Sequence, residues 1–461
     1  MKNSTIKKTE ARNHIRRIFV KKLFGHYNYK FPNEGSLSEL VIIYADNGAG
    51  KTNLLKLIFQ IFSSSKNQGH KTALSETSFS ELEIELTNGV IVRARRPEGL
   101  LTGPVTFEII DGRKTLAEWY FDQSREEPNV TTEQNIDKKM LARLPASIRK
   151  QIELTMGKQN YFSELEKLDL SCFILTPDRI LMGGPNNKIQ NENFNNPRRF
   201  SLSDMLLQSR VTSLESAFLS ATEQIRKKVF RGAYISGDSA NQIYDGVINR
   251  ILNTKPDLET VITPSKVRES IKKNLRSLEE DYVRFSDYGL ASKINIDDLV
   301  SSIEKAKGEK LGIVNSIIEP YLNSLQDRAR SLEDVYKVIH SFVKNVNIFL
   351  KDKELKFKAS SGFSIQSEFS KKELEVSQLS SGEQQLLLMF CHVLAARENS
   401  SIFIIDEPEI SLNIKWQRIL VSSLLEVAKD SEIQLIFSSH SFEILSKHRD
   451  MVVSLEHIEL S

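Results

Sequence analysis

Two kinds of hydrophobic pattern alternate along the chain. His14 to Leu23 alternates apolar and polar residues and is rich in β-branched side chains, which predicts a strand. Leu40-Val41-Ile42-Ile43-Tyr44 is an unbroken apolar run, the pattern of a strand buried on both faces. It leads through a glycine-rich turn into an apolar helix, Lys51 to Phe62. Three more strands are predicted at Glu81–Leu86, Val90–Arg95 and Val105–Ile110, with Asn88-Gly89 as a hairpin signal between the first two.

After Gly112 the pattern changes. From about 113 to 345 most segments carry apolar residues at helical spacing among many charges, as at Ile303, Leu311, Val314 and Ile317. A strand-like island, Leu170 to Leu175, interrupts them, and Gly183–Pro197, with six asparagines, two glycines and two prolines, predicts a loop. Strand character returns at Leu355 to Phe369. A helix follows from Ser381, then a strand at Ile402–Ile405, a helix over Ile414–Ala428 and a strand at Ile433–Phe437. That alternation belongs to a parallel sheet with crossover helices. The expected architecture is an α/β domain built from both ends of the chain, 1–112 and 351–461. A large, mainly helical insertion, 113–350, would separate them and carry one strand near 170–176.

Composition narrows the classes. The 461 residues contain 63 Lys and Arg against 60 Asp and Glu, so the net charge of +3 gives no overall basic character that would by itself imply nucleic acid. Only Cys172 and Cys391 are present, which excludes a disulfide framework and a cysteine-based zinc site and suits a reducing compartment. The N-terminal segment is polar and basic without the apolar core of a signal peptide, and no apolar run approaches the ~20 residues of a membrane span. A cytoplasmic protein is expected.

Two motifs carry chemistry on their residues alone. Ala45-Asp46-Asn47-Gly48-Ala49-Gly50-Lys51-Thr52 fits the phosphate-binding pattern GxxxxGK[ST], with Ala45 in place of the first glycine. Glycines let backbone N–H groups close on phosphate oxygens. The helix N-terminus adds its dipole, Lys51 a point charge and Thr52 a hydroxyl ligand for Mg²⁺. The candidate ATP contacts are therefore Asn47, Gly48, Ala49, Gly50, Lys51, Thr52 and Asn53. The second motif, Ile402-Phe403-Ile404-Ile405-Asp406-Glu407-Pro408-Glu409, ends a buried strand in acids. Such acids are costly there unless they serve a metal or water. Asp406 is the candidate Mg²⁺ ligand, through water, and Glu407 the residue that polarises the attacking water.

A third motif, Leu379-Ser380-Ser381-Gly382-Glu383, starts a helix upstream of Asp406, and a fourth, Phe437-Ser438-Ser439-His440-Ser441, follows it. With these four in this order the chain resembles the ATP-binding-cassette superfamily, in particular its SMC-, RecF- and OLD-like branch, where the signature is spelled "LSSGE". The resemblance implies an ATPase acting as a head-to-tail dimer that sandwiches two ATP molecules. Ser380, Ser381, Gly382 and Glu383 would contact the γ-phosphate held by the other protomer. His440 would be the switch histidine, Glu409 to Asn413 the D-loop, and Ser411 would lie at the dimer seam. The family's Q-loop position falls at Leu175-Thr176-Pro177-Asp178-Arg179, where no Gln is present; Asp178 is either a substitute metal contact or part of an ordinary strand end. Phe24 and Tyr27 are placed to stack on adenine or to pack in the core.

The interval between Lys51 and Ser380, 329 residues, is too long for a transporter cassette, and the chain ends 21 residues after His440, before any Toprim nuclease domain of OLD type. No nuclease constellation is expected on this chain. The size and the opening Leu23-Phe24-Gly25-His26-Tyr27-Asn28-Tyr29 resemble the stand-alone ATPases of bacterial anti-phage systems, those of PARIS type first and those of Septu type as the close rival. For such ATPases the implied role is a homo-oligomeric scaffold. It holds a separate nuclease effector, Toprim-type or HNH-type, and releases it when a phage-encoded trigger, which can be a DNA mimic, is sensed. The basic runs Lys266, Arg268, Lys272, Lys273, Arg276 and Arg226, Lys227, Lys228, Arg231 are either solvated helical faces or contacts for such an acidic partner. The rival reading is a RecF-like ATPase that clamps duplex DNA.

Overall fold

A computed structural model describes residues 13–64, 69–124, 145–178, 181–182, 211–230, 264–297, 300–301, 304, 309–399 and 401–459. The predicted loop Gly183–Pro197, Arg179, Arg231 and Ile303 lie outside the described residues, as do the side chains of Lys266, Leu311, Val314 and Ile317. The chain forms two compact units, Met1–Leu206 with Ala396–Ser461, and Leu207–Ala395.

The first unit opens with β1 (Ile15–Leu23), β2 (Tyr27–Phe31), β3 (Leu40–Tyr44), α1 (Lys51–Phe62) and α2 (His70–Glu76). Next come β4 (Glu81–Leu86), β5 (Val90–Arg95), β6 (Val105–Asp111), β7 (Lys114–Phe121), α3 (Ala146–Lys167), β8 (Cys172–Leu175) and β9 (Leu181–Met182). In the second unit, α4 (211–230), α5 (Pro264–Asp287) and α6 (Glu309–Asn347) precede the strands β10 (Lys353–Lys358), β11 (Gly362–Ser367) and β12 (Glu373–Leu374). Helix α7 (Ser381–Asn399) leads back to the first unit, which closes with β13 (Ile402–Asp406), α8 (Ile414–Ala428), β14 (Gln434–Ser438), α9 (Phe442–Lys447) and β15 (Val452–Ser454).

Two six-stranded sheets build the first unit. One is antiparallel, in the order β2-β1-β4-β5-β6-β7; the other, β15-β3-β14-β13-β8-β9, is parallel except for β9. Residues of β4, Leu82, Ile84 and Leu86, are buried while the alternating glutamates are half-exposed, as a one-sided sheet requires. Strands β13 and β14 are buried along their whole length, which explains their unbroken apolar runs. Helix α1 has buried residues on all sides, and its Leu54, Leu55, Leu57, Ile58, Phe59 and Ile61 share one core with both sheets. Gln434 adds a polar link. Its Oε1 accepts from Ile15 N at 2.8 Å, and its Nε2 donates to Ile15 O at 2.9 Å and Ser38 O at 3.0 Å.

This partition differs from the division at 112 and 350 read off the hydrophobic pattern. Gly112 is a turn glycine (φ +58°), and β7 doubles back on β6 across it. Strand β8 lies in register beside β13, Leu175 opposite Ile405, so it is an inner strand of the parallel sheet. The second unit is mostly helical, with the antiparallel sheet β10-β11-β12 and an aromatic core that includes Phe342, Phe349, Phe357, Phe363 and Phe390. No described helix is long and apolar enough to cross a membrane.

Candidate nucleotide site

Register sets the site. Ile43, Ser438, Asp406 and Ile405 pair across the parallel sheet, Ser438 with both Ile43 and Asp406, and Leu175 pairs with Ile405. The carboxyl ends of β3, β14, β13 and β8 therefore finish along one edge. That edge is where an open α/β sheet leaves a crevice.

The turn between β3 and α1 rises from this edge. Gly48 (φ +86°) and Gly50 (φ +84°) lie in the left-handed region, and a Cβ on Gly50 would stand 2.8 Å from Phe24 and 3.1 Å from Leu23. Ala45 is buried and outside that region, so the turn does not need a glycine there. Tyr29 Oη donates to Ala49 O at 2.9 Å and braces the turn from behind; burial, then Tyr27, pushes its phenol up to about 12. Lys51 Nζ donates to Ala45 O at 2.8 Å and Asp46 O at 3.2 Å. Burial pulls the Lys51 pKa down, against the carboxylates of Glu407, Asp406, Asp46 and Glu409.

A cleft of about 310 Å³ is lined by Phe24, Asn47, Gly48, Gly50, Lys51, Thr52, Asn53, Glu407 and His440. Two motifs more than 350 residues apart thus meet in one cavity. Glu407 has φ +48°, an unfavourable conformation for a residue with a Cβ. Its N–H donates to Ser438 O at 3.1 Å, and its Oε1 lies 4.0 Å from His440 Nε2. Asp406 is 1% exposed; one carboxylate oxygen accepts from Ser438 Oγ, and the other, Oδ2, is buried without a hydrogen-bond partner. An orphaned carboxylate oxygen beside a phosphate-type turn fits a hard cation. The residues that would hold Mg²⁺ there are Thr52 and Asp406, and Mg²⁺ bound there would neutralise phosphate charge.

Other expected site residues stand apart from the cleft. Ala49 contributes its carbonyl to Tyr29 and does not line it. Ser411 is exposed, with φ +66°, in the turn after β13. Asp178 is exposed beyond the end of β8 and outside the cleft lining. Tyr27 stacks on Tyr29 (5.6 Å between centroids) against the core, whereas Phe24 is 39% exposed on the cleft wall, so the two aromatics divide the roles expected of either.

Ser380 to Glu383 belong to the second unit. Ser380 caps α7: its N–H and Oγ each donate to Glu383 Oε2 at 2.8 Å. Glu383 is buried and also accepts from Lys353 Nζ at 3.0 Å. Burial raises its pKa, but the Ser380 and Lys353 bonds outweigh this and hold it low. Its carboxylate thus works inside its own unit, and Ser380 and Ser381 are the exposed members of the turn. On α5, Lys272 pairs with Glu304, while Lys273 and Arg276 are exposed.

Sequence reasoning gave no role to Tyr29, Ser438 or the Glu409 side chain. Their alternation and acidity look ordinary, and only the fold places them behind the cleft.

The sheet and the turn define an α/β P-loop protein. A family model described as "AAA domain, putative AbiEii toxin, Type IV TA system" matches residues 247–446, a span holding Ser380, Asp406, Glu407 and His440. No curated protein matches the chain significantly in sequence. Among solved structures, the chain is similar to an Smc head domain with an extended coiled coil, bound to the C-terminal domain of ScpA, from Pyrococcus furiosus. That pair shares 12% identity over 94% of this chain and 92% of the other, with a TM-score of 0.38. It is also similar to an Smc head bound to the C-terminal winged-helix domain of ScpA, at 10% identity over 97% and 98% of the two chains and a TM-score of 0.35.

Proposed function

We propose that the chain binds Mg²⁺-ATP in this cleft and hydrolyses it, and that a second copy completes each site with its Ser380–Gly382 turn. The observation that carries this is the meeting of Lys51 and Thr52 with Glu407 and His440 in one cavity, over the orphaned oxygen of Asp406. Phosphoryl transfer to water needs positioning and charge stabilisation, not covalent chemistry, and these residues supply both. Lys51 would leave its own loop carbonyls for the phosphates. Glu407 would orient the attacking water, with His440 beside it. Exposed apolar side chains in the same unit, Ile410, Ile414 and Phe442, suit a surface that a second copy covers.

The wider role proposed is that of an AriA-like, PARIS-type ATPase, which holds a separate nuclease, Toprim-type in preference to HNH-type, and releases it on meeting a phage-encoded trigger. The toxin–antitoxin description of the matching family supports a defence role. Of the basic run on α5, Lys273 and Arg276 remain candidates for an acidic trigger.

Glu407→Gln should keep ATP binding and lose turnover by about 100-fold or more, and Lys51→Ala should lose binding. Normal hydrolysis by Glu407→Gln would sink the catalytic assignment. Purification of the tagged chain from its native locus with ATP and Mg²⁺ tests the wider role. A co-purifying nuclease supports it, and co-purifying DNA without a protein partner replaces it with the DNA-clamp reading.

A further inference from the structure

Glu409 is acidic, near the cleft, and takes no part in the chemistry above. It stands in the turn after β13, and its Oε1 accepts three hydrogen bonds: from Ser439 Oγ at 2.8 Å, His440 N at 2.7 Å and Ser441 N at 3.1 Å. All three donors belong to the segment that follows β14 and carries the His440 imidazole. Ser441 N also donates to Ser439 Oγ at 3.0 Å, and Ser441 Oγ donates to Gln417 Oε1 at 2.7 Å. Gln417 Nε2 returns to Leu412 O at 2.9 Å, which closes a ring of bonds between the two segments. The second Glu409 oxygen is buried without a hydrogen-bond partner.

Hydrogen bonds to a carboxylate are roughly twice as strong as neutral ones. Two of these come from consecutive backbone N–H groups, so they fix the peptide planes on either side of the His440 Cα. That orientation sets the direction in which the His440 side chain leaves the backbone, and its Nε2 ends 4.0 Å from Glu407 Oε1.

We infer that Glu409 is a positioning residue for ATP turnover. It clamps the His440 backbone so that the imidazole meets Glu407. The inference rests on the hydrolysis reading above. Glu409 touches no reacting atom and acts through His440.

The experiment compares wild type, Glu409→Ala, Glu409→Gln, His440→Ala and the Glu409→Ala/His440→Ala double variant. It measures kcat and, by fluorescent-nucleotide titration with Mg²⁺, Kd. Glu409→Ala should lose kcat by about 100-fold, the scale of a 1 Å misplacement, with Kd nearly unchanged. Glu409→Gln keeps an acceptor oxygen for the three donors and should retain most of the rate. The double variant should be no slower than His440→Ala. If the two losses multiply, or if Gln is as slow as Ala, the inference is overturned; the second result would assign Glu409 to the charge on Lys51. Amide exchange gives a readout independent of turnover. The His440 and Ser441 N–H groups should exchange at least about tenfold faster in Glu409→Ala. Unchanged exchange refutes the clamp. Faster exchange with an inert wild type leaves the clamp and refutes only the hydrolysis reading.

Discussion

Lys71 allows a quantitative test of the core around α1. It is buried with no acidic partner among the described residues, and burial lowers its pKa from 10.5 to about 7. Its Nζ donates to Gln60 O at 2.9 Å and Ile61 O at 2.7 Å, the last carbonyls of α1, and faces the rings of Phe107, Tyr161 and Phe162 at 5.0, 5.5 and 6.0 Å. A drop of that size corresponds to roughly 5 kcal/mol of cost for the charged form. Below about pH 7 both folded and unfolded chains hold the proton, and the whole cost is present. As pH rises above the folded pKa, the unfolded chain binds more protons than the folded one, so stability rises and continues to do so until about pH 10.5. His70, whose pKa burial and Lys71 hold down, is neutral throughout that window. Lys71→Met keeps the volume and removes the proton, while its unpaired carbonyls add a cost that does not vary with pH. Urea unfolding of both proteins, followed by circular dichroism from about pH 6.5 to 9, should therefore give a stability difference that shifts in favour of wild type by roughly 3 kcal/mol across the range. A difference that stays constant over that range refutes the reasoning.

Two further outcomes test the site and the second unit. Gly50→Ala forces a residue with a Cβ to φ +84° and against the Phe24 and Leu23 side chains, so ATP affinity, read by nucleotide titration, should fall by about tenfold; an unchanged Kd would show that the turn tolerates the shift. Glu383→Ala leaves half-buried Lys353 without its carboxylate and uncaps α7, and should lower the stability of the second unit by about 2 kcal/mol, read as faster amide exchange in α7 than in α1.

The parts of the fold visible in the sequence are those where one residue type does one job. A buried parallel strand must be continuously apolar, and a phosphate turn must offer glycines and a lysine, so β3, β13 and the Gly48–Thr52 turn could be read directly. Strand β7 could not. Its alternation, Lys114 to Phe121, follows a short glycine turn into a long polar stretch, and the pattern gives no partner for it until β6 is seen beside it. The affiliation of β8 was hidden for a similar reason: four residues carry too little pattern to name a neighbour 230 positions away. Glu407 was legible because an acid closes a buried strand. Glu409 looks the same in sequence and differs only in what it faces.

The order of strands gives the cleft its width. Neighbouring strands stand about 4.8 Å apart, and β14 lies between β3 and β13, so the strand ends that launch the Lys51 turn and Asp406 are roughly 10 Å apart at the backbone. Without that spacer the ammonium and the carboxylate would neutralise each other directly, and the slot would be self-sealed. With it, their charges face across a gap that a phosphate and a hydrated ion can occupy. The spacer also ends in Ser438 and runs on through Ser439 to His440, so the strand that gauges the gap also brings a side chain to its wall.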